Sequence, residues 1–203
     1  MRTEHLSLLR SPLDGSELTL RDSAMVGGKV ETGTLTDAAG NRFPIHNFIP
    51  RFVPEQNYCD AFTYEWERYP DILSSYTGYE ERFAKETRWG NQLGGQLVLE
   101  AGCGLSPFTG QALATGCQLV SFDYSGSVEQ NYAKFGGREN LLIVQANISA
   151  VPTEPNLFDM LAPAYDLPAT IPEFLAWHQA AGLQEIEVGA GYNGVEGRGV
   201  KPL

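Results

Sequence analysis

The stretch VLEAGCGLSPFTG, residues 98–110, decides how this chain is read. A short apolar run leads into a loop carrying Gly102 and Gly104. After the loop, Ser106 can cap a helix, and Pro107 suits the first helical position, where a missing N–H has no partner to lose. Without a Cβ, each glycine takes positive φ easily and lets a ligand approach the backbone. An acidic residue, Glu100, closes the apolar run. A glycine turn of this kind also serves as a plain structural turn, so its surroundings must decide.

Those surroundings alternate. QLVLEA (residues 96–101) predicts a strand, and the helix after the loop runs to about Thr115, with Gly116 as its stop. CQLVSFD (117–123) predicts a second strand, VEQNYAKF (128–135) a second helix and LLIVQAN (141–147) a third strand. Strands alternating with helices predict the α/β class, with parallel strands and helical crossovers. In open sheets of this class, ligands sit beyond the carboxyl ends of the strands. Asp123 ends the second strand, where an acid can accept both hydroxyls of a ribose. A dinucleotide loop requires G-x-G-x-x-G, and here the last position is Pro107. The loop has no basic residue, and Glu100 has the wrong sign for a pyrophosphate on a helix N-terminus.

VLEAGCGLSPFTG followed by LVSFDYS resembles motifs I and II of class I S-adenosylmethionine-dependent methyltransferases. The resemblance implies a Rossmann-like sheet and S-adenosylmethionine as cofactor, whose cationic sulfonium suits an acidic site. It implies that Glu100 helps hold the methionine part, directly or through water. Gly102 and Gly104 make room for the cofactor, and Asp123 binds the ribose with Tyr124 beside it. IVQANISAVP (143–152) resembles the next motif and puts Asn147 and Ile148 near the adenine. Asn147 stands where the family carries an acid, and its carbonyl can accept from the exocyclic amine. Ser106 replaces the third glycine of the family loop. Transfer in this family is an in-line displacement for which the protein positions the acceptor. The sequence identifies neither a catalytic base nor the methyl acceptor.

Three parts follow along the chain. Residues 1–54 are rich in turns (SPLDG, GGK, DAAGN) and predict a small β-rich domain of hairpins, with Pro44, Pro50 and Pro54 ending regular structure. LLRSPLDGSELTL and ETGTLTDAAGNRFPIHNFIPRFVP resemble a zinc-ribbon-type domain found beside certain methyltransferases. Its ligand positions fall on Ser11, Asp14, Asp37 and Gly40, which do not make a tetrahedral thiolate site, so no metal is expected. Leu8, Leu9, Leu18, Leu20, Leu35, Phe43, Ile45, Phe48 and Phe52 are the candidate core, packed against the larger domain. Residues 55–95 read as a helical linker with Phe62, Trp66 and Tyr69 at helical spacing, an apolar stripe that packs on that domain. Residues 96–203 read as the Rossmann-like domain. His5, His46 and His178 are isolated and read as structural.

That last domain is incomplete. Phe158 and Asp159 read as the start of a fourth strand, and Thr170 with Glu173 predicts a capped helix over residues 171–181. About a dozen residues separate the two, where a strand–helix–strand unit takes roughly 30. The resemblance covers nearly the whole chain with the section after Asp159 cut out. LQEIEV (183–188) reads as a closing strand, which can move inward beside the fourth or leave the sheet open.

Composition bounds the rest. The 203 residues carry a net charge of −11, which argues against a nucleic-acid partner. Three scattered cysteines, Cys59, Cys103 and Cys117, form no disulfide framework and suit a reducing cytoplasm. The opening MRTEHLSLLRSPLDG does not read as a signal peptide, and no apolar run reaches the ~18 residues of a membrane span. The expected partners are a small-molecule or other methyl acceptor, and a second copy or partner protein. The alternative is a catalytically inactive remnant that binds or regulates.

Overall fold

The computed structural model describes residues 1–54, 57, 68, 78–89, 93–105, 107–148, 150–153, 160–161, 170–191 and 194–200. Expectations placed on Cys59, Phe62, Trp66, Tyr69, Ser106, Phe158 and Asp159 lie outside these residues. The chain divides into two compact units, Met1–Leu161 and Ala162–Leu203.

The first unit holds two sheets. After a 3-10 helix (Thr3–Leu8), strands β1 (Thr19–Val26), β2 (Lys29–Thr36), β3 (Arg42–His46) and β4 (Ile49–Pro50) form an antiparallel sheet in chain order. The edge strand β1 is almost wholly exposed. Its register shifts between Arg21 and Ala24, where Asp22 takes a φ of 49°, and such a bulge with charged neighbours discourages pairing with another chain. Pro44 does not end regular structure: it lies inside β3, opposite Thr34. Its carbonyl accepts from Arg51 N at 2.8 Å. In an antiparallel pair a residue's nitrogen faces the same way as its carbonyl, so the missing donor falls on the β4 side, where the ladder is ending.

The second sheet follows helix α1 (Tyr79–Thr87). It comprises β5 (Leu97–Ala101), α2 (Pro107–Ala114), β6 (Gln118–Asp123), α3 (Val128–Phe135), β7 (Leu141–Gln145) and the two-residue β8 (Met160–Leu161). Its strands are parallel and lie in the order β7-β6-β5-β8. The unit is therefore mixed α/β, with helical crossovers after β5 and β6. Glycine fits where α2 meets α3: a Cβ on Gly110 would lie 3.1 Å from the Phe135 ring.

Strand alternation sorts the core into two layers. Val98, Leu119, Leu141 and Ile143 face one way and pack with Phe83 of α1, Ala112 and Leu113 of α2 and Val128 of α3. Leu99, Ala101, Val120, Phe122, Leu142 and Val144 face the other way and pack with Leu9, Leu18, Val30, Leu35, Phe43 and Ile45. The antiparallel sheet thus covers the face that crossover helices leave bare, and a parallel sheet requires cover on both faces. Fully burying one such side chain is worth about 1.5–3 kcal/mol, and Leu9, Val30, Leu35 and Ile45 are all at 0% exposure. The N-terminal sheet is structurally part of the parallel sheet's core.

The second unit is α4 (Ile171–Ala180) with the antiparallel hairpin β9 (Gln184–Gly191) and β10 (Gly194–Val200). Thr170 and Glu173 form the capping box, and Gly182 takes a φ of 72° just beyond the helix. Phe174 lies against Gly197, where a Cβ would stand 2.9 Å from its ring. The closing strand β9 pairs with β10 in a sheet of its own, and the described parallel sheet ends at β8. Among the described residues, no helix is long and apolar enough to cross a membrane.

Candidate functional site

The carboxyl ends of β5, β6 and β7 meet at one edge of the parallel sheet. The glycine loop leaves β5 and folds back onto β6: Gly102 N and Cys103 N both donate to Phe122 O, at 2.8 and 2.9 Å. Gly102 and Gly104 take φ values of 71° and 49°, the left-handed region that favours glycine. Gly104 N then donates to Asp123 Oδ2 at 2.8 Å. Among the described residues, and apart from its own chain neighbours, no heavy atom lies within 4 Å of the place a Cβ on Gly104 would occupy. The loop is pinned on its β6 side and open at Gly104.

Asp123 organises the turn that follows it. Its Oδ1 accepts from Ser125 N at 2.8 Å and from Ser125 Oγ at 2.6 Å. A carboxylate offers about four acceptor positions, and these bonds with Gly104 take three of them. Among the described residues, one acceptor position on Oδ2 remains. Tyr124 is half-buried, and its carbonyl accepts from Asn57 Nδ2 and Gln145 Nε2, each at 3.0 Å.

Glu100 faces inward. Its Oε2 accepts from Thr109 Oγ1 on α2 and, at 2.7 Å, from Ser121 Oγ on β6. Asn131 Nδ2 on α3 reaches both hydroxyls at 3.3 Å. Burial pushes the Glu100 carboxyl up to about 7, against the two hydroxyl bonds that favour the anion; the Asp123 charge adds to the rise. The Cys103 thiol is pushed well above its usual range by burial, then by Glu100 and Asp123, so it is an unreactive, protonated neighbour. Glu100 joins β5, β6, α2 and α3 beneath the loop.

Asn147 and Ile148 lie just past β7. Asn147 bridges Ala150, whose N–H donates to its carbonyl at 3.0 Å, so the two form a tight turn. Ile148 packs against the core between the two sheets. The structure thus brings Glu100, Gly102, Gly104, Asp123 and Tyr124 together around the β5 and β6 ends, with Asn147 and Ile148 beyond the end of β7.

Several contributors escaped the sequence reading. Arg51 is buried, and its guanidinium donates to Gln145 Oε1 at 2.9 Å and pairs with Glu129 on α3. Thr109, Ser121, Asn131 and Gln145 are each at 0% exposure. A signal for them was present. Ser121 and Gln145 interrupt the apolar strands LVSFD and LLIVQ, and Arg51 is a lone charge between Ile49–Pro50 and Phe52–Val53. A polar group amid such neighbours must find a partner in the core.

The four positions that the sequence likens to zinc-ribbon ligands lie in two turns joined by hydrogen bonds. Ser11 Oγ donates to Asp37 Oδ2, and Asp37 accepts further from Asn41 N and Nδ2, both at 2.8 Å. Asp14 closes its own turn by accepting from Ser16 N and Oγ. Among the described residues, no group of three or more His, Cys, Asp or Glu side chains could hold a metal ion. His5 is buried with Nε2 at 3.4 Å from Glu139 O, and His178 Nδ1 lies 2.8 Å from Phe174 O.

No family model matches the chain, and no curated protein is significantly similar to it.

Proposed function

We propose that this chain is a class I S-adenosylmethionine-dependent methyltransferase homologue that keeps the first half of a Rossmann-like cofactor site. The hydrogen bond from Gly104 to Asp123 carries the reading. It ties a glycine loop to an acid at the carboxyl edge of a parallel sheet, the edge at which such sheets bind nucleosides. The groups present suit the cofactor: among the described residues Asp123 has an acceptor position left for a ribose hydroxyl and Gly104 leaves open space, and phosphate-binding cations are absent from the loop sequence. Glu100 acts from below, fixing the strand ends that carry the loop. Tyr124, Asn147 and Ile148 belong to the ribose and adenine side, and Gly102 to the loop. The bound cofactor supplies an electrophilic methyl group. The chain's own part is to hold the nucleoside and orient an acceptor. A reducing cytoplasm suits the cysteine content, and the charge of −11 argues against nucleic acid.

A second reading has its own support. On the resemblance, the region that normally builds an acceptor site is cut out of the sequence after Asp159. A remnant that binds the cofactor without transferring methyl, acting beside a partner protein or a second copy, fits that gap. Calorimetric titration with S-adenosylmethionine and S-adenosylhomocysteine tests the shared claim, and saturable one-to-one binding is expected. Absence of binding to both overturns it, and transfer of labelled methyl to any acceptor decides between the two readings.

A further inference from the structure

We propose that Arg51, contributed by the N-terminal sheet, is a positioning residue for nucleoside binding at Asp123; this rests on the reading above. Arg51 follows β4 and bridges Gln145 in parallel, so the antiparallel sheet runs directly onto the end of β7. Phe52 N donates to Gln145 O at 2.8 Å. Three structural parts meet at the guanidinium. Nη1 donates to Gln145 Oε1 at 2.9 Å, and Nη2 reaches His46 O at 3.4 Å and the Glu129 carboxylate in the first turn of α3. The planar fork of arginine suits this geometry in a way a lysine ammonium cannot match.

The amide of Gln145 passes the restraint on. With its oxygen taken by Arg51, its Nε2 is directed to Tyr124 O at 3.0 Å. Asn57 Nδ2 holds the same carbonyl from the chain that follows Arg51, and Ala146 N holds Asp123 O at 3.0 Å. The turn from Asp123 to Ser125 is thereby fixed from the N-terminal side as well as by its own bonds. An arginine at this position sets which way the Gln145 amide faces, and so where the Asp123 carboxylate stands. The N-terminal sheet therefore supplies part of the nucleoside site in addition to covering the parallel sheet.

The test uses the full chain and two variants. Gln145→Glu keeps an acceptor for Arg51 and removes the donor to Tyr124. Arg51→Lys keeps the charge beside Glu129 and removes the fork. The probes are S-adenosylhomocysteine and its 2′-deoxy analogue. Losing one neutral hydrogen bond corresponds to roughly 2- to 10-fold. We expect each variant to lower the preference for the 2′-hydroxyl by that factor, with binding of the deoxy analogue little changed. Amide hydrogen exchange at Gly104 and Ser125, both donors to Asp123, should quicken in each variant. Equal weakening toward both probes, which a general loss of folding produces, overturns the proposal, as does an unchanged preference. Wild type that binds neither probe overturns the methyltransferase reading; faster exchange in the variants then still upholds the tether, and unchanged exchange removes it.

Discussion

The Ser11 hydroxyl donates to Asp37 Oδ2 at 2.9 Å, joining two turns whose bonded residues are 26 positions apart in the chain. Both side chains are buried. Burial works against the Asp37 anion, but bonds from Asn41, Ser11 and the Asn41 and Ala39 amides outweigh it and hold the carboxyl below its ordinary value. The two turns that the sequence likens to zinc-ribbon knuckles are closed by hydrogen bonds beside the shared core. Purified protein is expected to hold no stoichiometric zinc, and a chelator should leave the melting temperature unchanged. Ser11→Ala should lower that temperature with or without chelator. A fall on chelation of the wild type would count against a metal-free closure.

Asp123→Ala should weaken binding of S-adenosylhomocysteine roughly 10- to 150-fold, the range for hydrogen bonds to a charged group. The same change frees Gly104 N and Ser125 N, which now donate to the carboxylate. Exchange of those two amides should therefore quicken in the unliganded variant. Unchanged affinity would place the nucleoside elsewhere.

Glu100 predicts a pH dependence with a definite sign. Its folded value, about 7, lies above the ordinary 4.5, so the folded state binds the proton more tightly. Stability from this group is present below pH 4.5, is lost as pH rises toward 7, and stays lost above it. The gap between 4.5 and about 7 corresponds to about 3 kcal/mol. His5, whose value burial lowers, works oppositely, losing stability as pH falls through its ordinary 6.5. The difference between Glu100→Gln and wild type isolates the glutamate. In urea unfolding, the variant should be more stable than wild type at pH 8, by up to about 3 kcal/mol, and the two should converge near pH 4.5. A constant difference across this range would reject the assignment.

The elements of the parallel sheet were legible because each is local. VEQNYAKF is bounded by its own polarity and turns, and it forms α3 with the expected limits. The capping box of Thr170 and Glu173 was readable for the same reason. The destination of the N-terminal sheet was less so. Leu35 and Ile45 announce burial, but their alternation cannot say that Leu99 and Val144 share their cluster. At the site, Glu100, Gly104 and Asp123 stood out by type and spacing. Arg51 did not, because its importance comes from Gln145 and Glu129, which are far away in the chain. Sequence separation hides a tether that geometry makes plain.

The last prediction concerns the edge at β8. This strand pairs with β5 through Leu99 and Glu100, opposite Met160 and Leu161, and the described parallel sheet ends there. On the methyltransferase reading no further strand follows β8 on that side, because only about a dozen residues separate Asp159 from the helix that starts at Ile171, too few for another strand–helix–strand unit. Unpaired N–H and C=O groups at a sheet edge favour pairing with another strand. The edge strand β1 of the antiparallel sheet differs, because its bulge and its charged Arg21 and Asp22 discourage such pairing. Association is therefore expected through the β8 edge, with weak or no methyl transfer by a single chain. Light scattering across a dilution series should show a dimer or larger species, measured in parallel with transfer from labelled S-adenosylmethionine. A stable monomer with robust turnover would overturn this expectation, and would mean that the shortened sheet still builds a whole active site.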